Sequence, residues 1–89
     1  MKILKFGAIW CMHCIYIKSV LDDLGQEYRE LIVEEFDADD HADKHKEFSI
    51  KDIPTLVFMD KNGNEVLRLE GAKDKKELRK AIDDLLKQI

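Results

Sequence analysis

Apolar residues along this chain come in short clusters, and the spacing within the clusters changes as the chain proceeds. From Lys2 to Ala8, Ile3, Leu4 and Phe6 have the density of a buried strand, and Gly7-Ala8 ends the run. From about Met12 to Leu24, the positions Ile17, Val20, Leu21 and Leu24 follow helical spacing, and Gly25 stands where a left-handed C-terminal cap is wanted. From Glu30 to Phe36, centred on Leu31-Ile32-Val33, a second strand is predicted; a helix between two strands is the crossover that makes the pair parallel. From Asp39 to Phe48 the pattern is that of a shorter helix. From Thr55 to Met59 it is strand-like, Lys61-Asn62-Gly63-Asn64 carries an Asn-Gly turn signal, and Glu65 to Leu69 returns with Val66, Leu67 and Leu69, which together predict a hairpin. The last segment sets Leu78, Ala81, Ile82, Leu85, Leu86 and Ile89 on one face, behind Asp74 and Glu77, an acidic form of the capping box. The predicted order is βαβαββα, an α/β fold with one four-stranded mixed sheet flanked by helices.

Composition narrows the class. The 89 residues are 45% hydrophobic, which excludes a disordered chain, and four Gly with one Pro exclude a collagen-like or low-complexity one. The length fits a single domain over residues 1–89. Fifteen basic against nineteen acidic residues leave a net charge of −4, without the electrostatic footprint that nucleic acid needs. The longest uncharged run, from Phe6 to Ile17, is well short of the roughly 20 residues that span a bilayer, and Lys5 interrupts any would-be secretory leader. A cytoplasmic protein with no membrane association is therefore expected. In that compartment a lone cysteine pair is more often catalytic or metal-binding than structural.

That pair is Cys11-Met12-His13-Cys14, between the first strand and the first helix. The spacing lets the two sulfurs close a disulfide. Cys11 falls at the helix N-terminus, whose unpaired N–H groups and positive dipole end stabilise a thiolate, and Cys14 falls one turn inside. The bland alternatives are half of a zinc or iron–sulfur site, or two cysteines idle in a partner-binding domain. His41 and His45, four apart among Asp37, Asp39, Asp40 and Asp43, suggest a metal site only weakly, because the Cys pair lies too far upstream for zinc-finger spacing.

The chain resembles a small thioredoxin or glutaredoxin-like protein along nearly its whole length. The resemblance rests on Trp10-Cys11-x-x-Cys14 after a strand, on Ile53-Pro54-Thr55 opening the third strand, on the Lys61-Asn62-Gly63 hairpin and on Gly71 before the last helix. It implies thiol–disulfide exchange with protein or small-molecule disulfides, with Cys11 as nucleophile and Cys14 as resolving thiol. It also implies a cis peptide before Pro54, and a substrate surface of Trp10, Met12, Ile53, Pro54 and Gly71, where the main chain of Ile53 pairs with an extended substrate segment. No cofactor is implied; electrons come from a thioredoxin- or glutaredoxin-type reductase, and the protein acts as a monomer.

The layout and four positions depart from the family pattern. The layout begins without the extra strand and helix of full-length thioredoxins and is closer to glutaredoxins, yet Met12-His13 matches the inner dipeptide of neither. His13 is expected to tune the thiolate and make the pair more oxidising than a Gly-Pro thioredoxin. Lys5 stands where thioredoxins bury an Asp, and Glu35 where the family often has a Lys, so a charge pair with exchanged signs is expected beneath the site.

Overall fold

The computed structural model describes residues 1–71 and 73–87. Ile89, expected on the apolar face of the last helix, lies outside them. The elements run β1 (Lys2–Gly7), α1 (Met12–Glu27), β2 (Ile32–Asp37), α2 (Ala42–Glu47), β3 (Thr55–Met59), β4 (Glu65–Glu70) and α3 (Lys75–Lys87). The strands form one sheet in the order β2-β1-β3-β4, with β1 parallel to β2 and antiparallel to β3. This is the mixed α/β sheet that the hydrophobic pattern predicts.

The two central strands, β1 and β3, are covered on both faces, which is why they read as continuous apolar runs rather than alternating ones. On one face Ile3, Leu56 and Phe58 pack against Ile17, Val20, Leu21 and Leu24 of α1 and Leu78, Ile82 and Leu85 of α3. On the other, Leu4, Phe6 and Val57 lie beneath Phe36, Phe48, Ile50 and Met59. There the Phe6 ring stacks on Phe36 at 5.3 Å and meets the edge-on ring of His45 at 5.2 Å.

Local signals and tertiary packing disagree at the element ends. Gly25 does not cap α1: the helix continues through it to Glu27, and Tyr28 closes it with its N–H on the Leu24 carbonyl. Contacts with α3 hold this extra turn, through the Tyr28 hydroxyl donating to Asp83 at 2.6 Å and a bidentate Arg79–Glu27 pair at 2.9 Å. Helix α2 is shorter than predicted. At its start Asp39 and Asp40 are held in a turn on the Asp37 carboxylate. At its end Ser49, at φ 54, closes a Schellman motif in which the N–H groups of Ser49 and Ile50 donate to the Lys46 and His45 carbonyls. In the hairpin, Asp60 receives the N–H groups of Asn62 and Asn64, and Gly63 takes the positive φ of 84°. The Asp74 carboxylate accepts the Glu77 N–H at 2.8 Å, the forward half of the expected capping box.

Candidate active site

One end of the sheet gathers the residues of interest. Strand β1 ends at Gly7 opposite Asp37 of β2, and Phe6 faces Thr55, so Pro54 enters the sheet at the same end. Thr55 in turn faces Glu70, which brings Gly71 alongside; its N–H donates to the Pro54 carbonyl at 2.9 Å. The Ile53–Pro54 peptide is cis, as the resemblance implies, and the Pro54 ring is buried. Gly71 adopts φ 85°, a left-handed conformation that a side chain would disfavour.

Between Gly7 and α1 the chain makes a tight turn closed by the Cys11 N–H on the Ala8 carbonyl. Cys11 is the N-cap of α1, in extended conformation, and its Sγ accepts the Cys14 N–H at 3.2 Å. A cysteine sulfur thus fills the role usually held by a Ser, Thr or Asp oxygen at a helix start. The carboxylate of Asp37 ties the turn down: one oxygen accepts the Ile9 N–H at 2.8 Å, the other accepts those of Asp39 and Asp40. These backbone N–H groups hold the Asp37 carboxyl below its ordinary 3.8.

The two sulfurs live in different surroundings. Cys11 is partly exposed, whereas Cys14 is 2% exposed and packs on the bare backbone of Gly7. A Cβ at Gly7 would stand 2.9 Å from Cys14 Sγ, so only glycine allows α1 to approach β1 this closely. Burial pushes the Cys14 thiol up to about 11, aided by its hydrogen bond with Cys11; a hydrogen bond to the Ala8 backbone and the charge of Lys5 act in the opposite direction. Both thiols are free.

Of the expected surface residues, Trp10 is 68% and Met12 82% exposed, and Ile9 and Ile15 join them. Trp10 is therefore no core residue, and His13 is exposed on the first turn of α1. Lys5 and Glu35 are register partners on adjacent parallel strands, with Nζ 3.8 Å from Oε1. Only half of that expectation is a buried pair: Lys5 is 7% exposed, but Glu35 is open to solvent and is shared with Lys18, also at 3.8 Å. An open cleft of about 390 Å³ runs along this side, from Cys14 and Lys5 out to Glu35 and Lys18.

His41 and His45 serve the fold. The His45 Nε2 lies 2.8 Å from the Phe36 carbonyl oxygen and the His41 ring stands edge-on to Phe36. Among the described residues no three His, Cys, Asp or Glu side chains converge as a metal site. Two contributors escaped the sequence reading as site residues, Gly7 and Asp37. Each acts on a residue distant in sequence, although Gly at a strand end and Asp before Asp39-Asp40 are turn-type signals.

The family model for thioredoxin matches residues 1–84. The chain belongs to the thioredoxin family. It is 34% identical over 84 residues to a thioredoxin of Pongo abelii, an alignment that covers 94% of this chain and 78% of that one. The X-ray structure of Fasciola hepatica thioredoxin superposes with a TM-score of 0.84 at 31% identity, covering 93% of this chain and 78% of that one. A longer relative from Mycobacterium leprae, named bifunctional thioredoxin reductase/thioredoxin, is 32% identical over 85 residues; the match takes in 94% of this chain but 18% of that protein. The layout that looks closer to glutaredoxins on element count thus belongs to a thioredoxin, and the protein is a thiol–disulfide oxidoreductase. No helix of the described residues is long and apolar enough to cross a membrane.

Proposed function

We propose that this thioredoxin reduces protein disulfides in the cytoplasm as a monomeric single domain, with Cys11 attacking, Cys14 resolving, and a thioredoxin-type reductase returning the electrons. The observation that carries the reading is the contrast between the sulfurs: Cys11 is partly exposed and its Sγ receives the Cys14 N–H, while Cys14 is buried, which pushes its thiol up to about 11. Attack by the Cys11 thiolate on a substrate sulfur gives a mixed disulfide. Cys14 then attacks Cys11 and releases the reduced substrate.

The remaining residues divide by position. Trp10 and Met12 offer apolar surface around Cys11, and Ile53, held by buried Pro54 and flanked by Gly71, offers its main chain to an extended substrate segment. His13, in the first turn, tunes the thiolate from the solvent side, and Lys5 with Glu35 forms the charged layer beneath Cys14. The test is trapping. With Cys14→Ser, a protein disulfide should accumulate as a mixed disulfide through Cys11, identified by peptide mass. A Cys14→Ser protein that turns over normally, or the absence of any adduct, contradicts the assignment.

A further inference from the structure

Lys5 is the strangest residue in the sheet: a lysine 7% exposed in the middle of a central strand, whose ion-pair partner among the described residues, Glu35, stands at a loose 3.8 Å and in solvent. A buried cation destabilises a small core unless it is compensated, and Glu35, which also faces Lys18, compensates it only in part. The compensation becomes intelligible from what lies on its other side. The point a Cβ of Gly7 would occupy is 2.9 Å from Cys14 Sγ and 3.9 Å from Lys5 Cε. The lysine and the resolving cysteine therefore both border the bare backbone of Gly7 and line the same cleft.

We propose that Lys5 is a positioning residue for the resolving step, its ammonium group stabilising the Cys14 thiolate as that thiolate forms beneath the mixed disulfide. This rests on the assignment of Cys11 as the attacking sulfur. Once Cys11 is bonded to a substrate sulfur it carries no negative charge, and the charge of Lys5, which eases the ionisation of Cys14 against its burial, is no longer opposed from that side. The proton of Cys14 leaves to water in the open cleft. The thiolate attacks Cys11 Sγ, the bond between Cys11 and the substrate breaks, and the substrate sulfur departs as a thiolate that takes its proton from solvent. Two electrons pass to the substrate sulfurs, and the Cys11–Cys14 disulfide is the oxidised product. Glu35 draws on the same ammonium charge and sets how much of it reaches Cys14.

The size of the effect follows from opposing trends. Each unit that Lys5 lowers the Cys14 titration raises the thiolate fraction about tenfold at a fixed pH below it. Nucleophilicity falls with basicity by a Brønsted slope of about 0.4–0.5, so the net gain is about three- to fourfold per unit.

The experiment follows reduced protein mixed with a chromogenic aryl disulfide, in which the first aryl thiolate reports attack and the second reports resolution. The charged groups bordering Cys14 and Lys5 are Cys11 and Lys18 on α1, Glu35 and Asp37 on β2, and Asp40 and His41 after it. The profile is read above about pH 8, clear of the range in which imidazoles ordinarily change charge. Lys5→Met should slow the second release at least about threefold and move its pH profile upward, with the first release unchanged; Lys5→Arg should restore most of the rate. Glu35→Gln, which keeps the core intact, should speed the second release or move its profile downward. An unchanged second release in Lys5→Met, equal slowing by Met and Arg, or no response to Glu35→Gln overturns the proposal. A first release that survives Cys11→Ser overturns instead the assignment on which it rests.

Discussion

On the Cys11 side of the dithiol, Ile9, Trp10 and Met12 stand largely in solvent; on the Cys14 side, a lysine and a thiol lie under the first turn of α1, out of water. The first region exposes what folding usually hides and the second hides what folding usually exposes. Both depart from the rule that the core obeys, where Ile3, Leu56, Phe58, Leu78 and Ile82 fill the space between sheet and helices. Departures of this kind cluster where a chain has been shaped by chemistry rather than stability. On the proposed function the apolar rim is the surface that meets the substrate chain, and the buried side is what separates the reactivity of two sulfurs three residues apart.

The comparison is sharpened first by a residue that belongs to neither region. Ile82→Ala, in the core under α3, should cost about 2–5 kcal/mol in urea denaturation, with the order of cysteine labelling in the folded protein unchanged. Gly7→Ala comes next. Its Cβ meets Cys14 Sγ at 2.9 Å and Cys14 Cβ at 3.1 Å, neither of which swings away, so α1 must shift at a cost of about 1–3 kcal/mol, and Cys14 should become easier to alkylate. Should Gly7→Ala leave both stability and Cys14 labelling untouched, the close packing of the second region is not what protects the thiol.

Trp10→Ala should change stability by no more than about 0.5 kcal/mol, since the ring is 68% exposed. It should raise KM for a protein disulfide several-fold and leave the rate with a small aryl disulfide unaltered. Equal losses on both substrates would mean that the rim does not bind the partner chain. The smallest effect is expected at Asp37, whose carboxyl is held below its ordinary value of 3.8 mainly by the Asp39 N–H and also by those of Ile9 and Asp40. A lowered carboxyl contributes stability that is complete above its unfolded value and fades as pH falls through the folded one. Acid denaturation of Asp37→Asn should therefore be flatter below about pH 4 than that of the wild type. A parallel pair of curves would show that the anchor of the Ile9 turn is not this carboxylate.

What was legible in the sequence had local causes. The apolar runs of β1 and β3, the Asn62-Gly63 turn, the Asp74 cap and the Cys11/Cys14 spacing each depend on residues close in the chain, and the structure contains all of them. The Lys5–Glu35 neighbourhood was implied by the family pattern at those two positions, and the β1–β2 register sets the two residues opposite each other. Tertiary contacts decided the rest. Gly25 invites a helix end, but Tyr28 and Glu27 are fastened to Asp83 and Arg79 of α3, more than fifty positions away. Asp37 was read among candidate metal ligands, while its main partner for the site is the N–H of Ile9, 28 residues earlier. The exposure of Glu35 depends on β2 being a sheet edge, which the apolar pattern alone does not specify.

On the proposed function the helix start makes Cys11 the reactive sulfur, and burial keeps Cys14 inert until the mixed disulfide forms. Pulsed alkylation of the reduced protein at pH 6, with the two cysteines resolved by peptide mass, measures that difference directly. Cys11 should be labelled first and Cys14 should stay protected while the protein is folded, because one sulfur is accessible at the helix start and the other is buried with its thiol held up to about 11. Equal labelling, or faster labelling of Cys14, would contradict the account.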